Sequence, residues 1–164
     1  MKQNSCIYIF LDVDGVLNTA SQWDDMYSFS DSCLENFFRF VESLNHPVKV
    51  VLSTAWRRGY DDVNGNHAPQ IHELLSRLKR GGVEVIGKTG ESQGFDRAEE
   101  INSFITEHHL QDFPCIVIDD DEELFQSPLL KNCRFIHTND EVGFVFSPQK
   151  KRWQRFVDSL KLFR

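Results

Sequence analysis

The chain has no apolar run of the length a membrane helix needs, no internal repeat and no low-complexity linker, so a bilayer-spanning protein and a repeat array are both set aside. Cysteine is sparse as well. Cys6, Cys33, Cys115 and Cys133 show neither CxxC spacing nor an accompanying histidine pattern, which argues against a zinc ribbon or a disulfide framework. Three of the four lie in or beside apolar segments and read as buried, reduced thiols that behave as small hydrophobes. Positive charge is in the minority, 18 Lys and Arg against 25 Asp and Glu, for a net charge of −7. That balance opposes unspecific attraction to nucleic acid or anionic membrane, while a local basic patch remains compatible with it. The segment Gly87–Gly94 is rich in glycine but lacks GxxxxGK[ST], so it is not a P-loop. Met1–Ser5 lead directly into an apolar segment, and the expectation is a soluble, cytoplasmic protein with one domain over 1–164. An apolar share of 40% is enough for one substantial core.

What the chain does have is a series of short apolar segments that end in polar, chemically capable residues. The first, Ile7–Leu11, is continuous and rich in β-branched and aromatic side chains, as suits a central strand covered on both faces. It runs into Asp12-Val13-Asp14-Gly15. Strand alternation would turn Asp12 and Asp14 to the same side, and Gly15 allows a sharp exit. Two carboxylates so close repel, and a bound Mg²⁺ is the simplest remedy. Residues 18–30 are polar with large aromatics, Trp23, Tyr27 and Phe29, and read as a flap. Ser30 or Asp31 then caps a helix whose buried face is Leu34, Phe37, Phe38, Val41 and Leu44.

Val48–Thr54 reads as the second strand, ending in the hydroxyls of Ser53 and Thr54. A helix over about 70–80 follows, with Ile71, Leu74, Leu75 and Leu78 on one face, and Val83–Ile86 is a short third strand. Asp96 is an N-cap for a helix running to His108 or His109. Arg97 in its first turn opposes the helix dipole, which calls for a compensating anion nearby. Cys115–Ile118 is a fourth strand that ends in Asp119-Asp120-Asp121-Glu122-Glu123, Cys133–Thr138 a fifth. Ser147-Pro148 opens a C-terminal helix over about 148–163, apolar at Trp153, Phe156, Val157, Leu160 and Phe163 and basic on its other side. Strands alternating with helices predict an α/β sandwich with a mostly parallel sheet and helices on both faces.

Four of these features in this order resemble the haloacid dehalogenase (HAD) superfamily, most of whose members are Mg²⁺-dependent phosphohydrolases. The matching stretches are Asp12-Val13-Asp14-Gly15-Val16-Leu17-Asn18, Leu52-Ser53-Thr54-Ala55-Trp56-Arg57, Arg97-Ala98-Glu99-Glu100-Ile101 and Val117-Ile118-Asp119-Asp120-Asp121. They are most similar to the small, capless HAD domains of RNA-repair proteins. The resemblance implies a Rossmannoid fold without a large cap, with Asp12 as nucleophile and Asp14 as general acid and base. It implies that Ser53, with Thr54 beside it, donates to the phosphoryl group and that a cation neutralises it, for which Arg97 and Lys88 both qualify. It also implies Mg²⁺ held by Asp12, the Asp14 main-chain carbonyl and Asp119 or Asp120, and a flap from which Trp23, Tyr27 or Phe29 would touch substrate. The implied activity is an aspartyl-phosphate phosphomonoesterase with an open site suited to a nucleotide, a nucleic-acid end or a phosphoprotein. A small-metabolite phosphatase, a catalytically silent binding domain and a receiver domain are the other readings.

Overall fold

The computed structural model of the chain describes residues 6–24 and 28–160. Its sheet contains β1 (Ile7–Leu11), β2 (Val48–Leu52), β3 (Glu84–Lys88), β4 (Cys115–Asp119) and β5 (Arg134–His137), all parallel, in the order β3-β2-β1-β4-β5. Helices α1 (Asp31–Leu44), α2 (Pro69–Arg80), α3 (Arg97–Glu107) and α4 (Lys151–Leu160) cover it. Alternation along the strands separates two apolar layers. Ile7, Ile9, Leu11, Val50, Leu52, Ile116 and Ile118 face α1, α2 and α4, whereas Phe10, Val51, Cys115 and Val117 face α3 and the segment after β4. The helices therefore lie on opposite faces, as the sequence predicts for an α/β sandwich.

This topology places the site. Successive connections from β1 run through β2 to β3 on one side, and the chain then returns to β4 on the other side of β1. Neighbouring connections diverge at such a switch point and leave a crevice beyond the carboxyl ends of the strands. Leu11 lies opposite both Leu52 and Ile118. The residues that follow each of them, Asp12, Ser53 and Asp119, consequently meet at one place. The Asp12 N–H donates to Ile118 O (3.1 Å) and the Ser53 N–H to Leu11 O (2.9 Å), so pairing extends just past the strand ends.

Several boundaries differ from the sequence reading. β3 continues to Lys88, with an irregularity opposite Val50/Val51, and the Thr89 N–H still donates to Leu52 O. Gly87 and Lys88 are thus strand residues, not part of a flexible connection. The buried face of α1 includes Phe40, whose ring lies against Phe144, Phe146, Trp153 and Phe156. The C-terminal segment wraps over α1 and widens its covered face beyond what helix periodicity alone indicates. α4 begins at Lys151 rather than near Pro148, because Ser147–Lys150 close a turn first. All four cysteines are free, with Cys33, Cys115 and Cys133 buried. Tyr27, Lys161, Phe163 and Arg164 lie outside the described residues. Among the described residues no helix is long and apolar enough to cross a membrane.

Candidate active site

At the carboxyl ends of β1 and β4, Asp12, Asp119 and Asp120 each bring one carboxylate oxygen within 4.8 Å of the others. Asp12 and Asp119 are buried, and Asp120 is partly open to solvent. Arg97 supplies the countercharge. Its Nη1 donates to Asp119 Oδ2 at 2.7 Å and lies 3.4 Å from Asp12 Oδ2. Asp12 Oδ1 accepts the Val13 N–H (2.8 Å) and Asp119 Oδ1 the Asp121 N–H (3.0 Å), which fixes both carboxyl planes.

The electrostatics describe a site with surplus negative charge. Burial and then the neighbouring Asp119 push the Asp12 carboxyl well above the ordinary carboxylate range, against the lowering effect of Arg97 and the Val13 N–H. Burial and Asp119 raise Asp120 in the same direction. For Arg97, burial works against the charge, but Asp12 and Asp119 more than offset it, so the guanidinium stays protonated. Three carboxylates against one guanidinium leave two negative charges when all are ionised. A hard divalent cation, which takes oxygen ligands, suits that donor set and that deficit.

Asp14 does not join this cluster. β1 ends at Leu11, so strand alternation no longer governs the side chains beyond it. Instead Asp14 Oδ2 accepts from Trp56 Nε1 (3.1 Å) and Oδ1 from Asn18 Nδ2 (2.9 Å). Asn18 is nearly fully buried and organises the whole turn: its Oδ1 accepts the Gly15 N–H (3.0 Å) and Trp23 Nε1 (3.1 Å). Gly15 has φ +78, and a Cβ there would collide with the Asp120 carboxylate. The turn must therefore be glycine on two counts, backbone conformation and space for a cluster member. Thr138, just past β5, donates from Oγ1 to Gly15 O (2.8 Å), and His137 Nε2 donates to Asp120 O (3.0 Å).

The hydroxyl and cation positions divide clearly. Ser53 Oγ is buried beside Asp12 and has no hydrogen-bond partner among the described residues. Thr54 Oγ1 accepts the Trp56 N–H (3.2 Å) and caps the 3₁₀ turn Ala55–Gly59, so its hydroxyl is engaged in placing Trp56. Lys88 donates from Nζ to Tyr60 O (2.6 Å) and Arg57 O (3.2 Å), holding the end of that turn. Of the two cations singled out in the sequence, it is Arg97 that touches Asp12. Trp23 is 43% exposed on the flap. Phe29 packs on Trp56 with ring centres 5.3 Å apart.

Sequence reasoning missed four supporting residues. Asn18, Trp56 and Thr138 orient the Asp12–Gly15 turn, and Glu100, buried in α3, pairs with Arg57 at 3.0 Å. Asn18, Trp56 and Glu100 lie inside the stretches that carry the resemblance, and an Asn three residues past a turn glycine was a usable signal. Thr138 has no such signal.

The pattern of the family described as the HAD domain in Swiss Army Knife RNA repair proteins matches residues 8–146. With that much of the sequence covered, the chain belongs to this family of HAD domains, and the parallel sheet with its strand-end carboxylates is the corresponding fold. Searches among curated proteins and solved structures give no match.

Proposed function

We propose that the protein is a Mg²⁺-dependent phosphomonoesterase that works through an aspartyl-phosphate on Asp12 and takes its phosphate from a nucleotide or nucleic-acid end. The observation that carries this reading is the buried Asp12 carboxylate, flanked by Asp119, Asp120 and Arg97 at the switch point of the sheet. The side chains of Asp12, Asp119 and Asp120, with the Asp14 main-chain carbonyl, would hold the cation. It would offset the charge of nucleophile and phosphate so that two anions can approach.

The remaining work falls to the chain. An Asp12 carboxylate oxygen attacks phosphorus as the bond to the leaving oxygen breaks. Asp14, kept apart from the anionic cluster by Trp56 and Asn18, gives its proton to that oxygen. It then takes a proton from the water that displaces phosphate from Asp12. Arg97 and the free Ser53 hydroxyl are the donors for the phosphoryl oxygens, and charge-assisted bonds of this kind are most of what phosphoryl transfer asks of a protein. Trp23 on the flap is a contact for the group beyond the phosphate.

Two features favour a macromolecular phosphate over a free metabolite. Among the described residues, neither the β1–α1 nor the β3–α3 connection carries an inserted cap, and an uncapped site encloses little of a small substrate. The family's description, RNA repair proteins, points the same way. The test is phosphate release with Mg²⁺ from a 3′-phosphorylated oligonucleotide, a nucleoside 3′-monophosphate, a phosphopeptide and sugar phosphates. The oligonucleotide is expected to give the highest kcat/KM. A sugar phosphate in first place would refute the substrate class, and no turnover with any would refute the activity.

A further inference from the structure

The turn leading into α3 presents an aromatic ring for which the fold provides no packing. Phe95 is 70% exposed and belongs to neither apolar layer. Its backbone is left-handed, with φ 52, a conformation that costs a bulky residue about 1–2 kcal/mol. A solvated position with this backbone would be filled more cheaply by Gly or Asn.

The surrounding turn is braced so that Phe95 cannot relax. The Phe95 N–H donates to Ser92 O (3.2 Å), the Asp96 N–H to Ser92 Oγ (2.8 Å), and the Ser92 N–H to Glu100 Oε1 (2.9 Å). The other oxygen of Glu100 holds the buried Arg57 at 3.0 Å. Asp96 caps α3 through the Ala98 N–H (2.9 Å). Arg97, which touches Asp12, is two residues on from Phe95, so their Cα atoms lie within about 7 Å. Strain that its surroundings over-determine, two residues from the guanidinium that pairs with Asp12, is the form that functional strain takes.

We propose that Phe95 is a stacking platform for the base of the nucleotide whose phosphate Arg97 and Asp12 engage. The inference rests on the phosphatase reading and adds what recognises the group attached to the phosphate. A nucleobase is the fitting partner because every base offers a π-face, whereas a phosphopeptide offers one only when its sequence happens to.

The test compares the wild type with Phe95→Ala and Phe95→Trp in Mg²⁺, on a nucleoside 3′-monophosphate and on ribose 5-phosphate, which has no base. Loss of a stacking ring is worth about 5- to 150-fold, so Phe95→Ala is expected to lose that much kcat/KM on the nucleotide. The loss should be carried by KM, with ribose 5-phosphate changed by less than about twofold. Phe95→Trp keeps the nucleotide activity. Melting of Phe95→Gly is a control: relief of the strain should leave the folded protein as stable as the wild type or more so, which a packing residue would not do. Equal losses on both substrates, or a Trp variant as impaired as Ala, overturn the inference. A wild type that turns over both substrates without preference overturns it and leaves the phosphatase reading standing. Inactivity on both, with no turnover of the 3′-phosphorylated oligonucleotide either, removes that reading and this inference with it; turnover of the oligonucleotide alone, unchanged by Phe95→Ala, overturns the inference only. A loss seen on a phosphotyrosine peptide but not on the nucleotide overturns it in favour of a peptide.

Discussion

Replacing Asp12 by Asn separates catalysis from folding, because the same carboxylate is required for the first and is a burden on the second. At an effective dielectric of about 20, two charges at the 4.8 Å limit of the cluster repel by about 3.5 kcal/mol, and Asp12 has two such neighbours. Its pair with Arg97 at 3.4 Å attracts by about 5 kcal/mol on the same scale. Removing the charge therefore relieves on the order of 2 kcal/mol, less whatever share a bound proton already relieves in the metal-free wild type. Asn retains an oxygen for the Val13 N–H. In EDTA the variant is expected to melt between 0 and about 8 °C above the wild type, at roughly 2–4 °C per kcal/mol for a chain of this length. Mg²⁺ at a hundredfold excess over its dissociation constant would stabilise the wild type by about 2.7 kcal/mol. The variant should gain much less. Phosphatase activity should fall on the order of 10⁴-fold or more, as losses of a nucleophile do. Scanning calorimetry with and without Mg²⁺, beside a phosphate-release assay, measures all three. A variant that melts well below the wild type in EDTA, keeps the full Mg²⁺ shift or retains turnover refutes the reasoning.

Arg97→Ala should depress turnover far more than Lys88→Ala in the same assay. Lys88→Ala should instead lower the melting temperature, since a charged donor on the Tyr60 and Arg57 carbonyls contributes about 1.5–3 kcal/mol; the opposite order would exchange the two roles. Glu100→Ala leaves Arg57 buried without its carboxylate and should cost about 3–5 kcal/mol in urea unfolding, so a loss below 1 kcal/mol would show that the pair is not a structural tie. Burial raises Cys115 to about 12, helped by its neighbour Cys133, and Cys133 to about 11. Because the folded protein keeps the neutral thiols, their contribution is complete below the ordinary value near 9 and is lost as pH rises through 11 to 12. Iodoacetamide at pH 8, followed by mass spectrometry, should leave both unmodified until urea unfolds the chain; rapid labelling of the folded protein would contradict that burial.

The central strands were legible because a doubly covered parallel strand needs an apolar run, and those of β1, β2 and β4 lead to Asp12, Ser53 and Asp119. Arg97 stood out locally, as a cation in the first turn of a helix where the dipole disfavours it. The failures have long-range causes. Alternation turned Asp14 to the same side as Asp12 but gave no sign of its carboxylate's partners, Asn18 and, 42 residues away, Trp56. The Thr138 contact with Gly15 spans 123 residues, and Phe40 is buried by a segment more than a hundred residues later. Lys88 looked like a loop residue because Gly87 and Gly90 flank it, whereas pairing of Gly87 with Val51 carries β3 through it. The left-handed backbone at Phe95 had no signal at all, since phenylalanine is among the residues least expected there.

The central claim, that Asp12 carries the phosphoryl group, is tested most directly by trapping it in an Asp14→Asn variant. An aryl phosphate with an acidic phenol leaving group needs no proton to depart, so attack by Asp12 should proceed while release to water, slowed about 10²- to 10⁴-fold without the base, lags behind. Acid quenching followed by peptide mass spectrometry is expected to find one phosphoryl group on the peptide containing Asp12, and none after the same treatment of an Asp12→Asn, Asp14→Asn double variant. Normal turnover with no adduct, or an adduct on any other residue, would contradict the account.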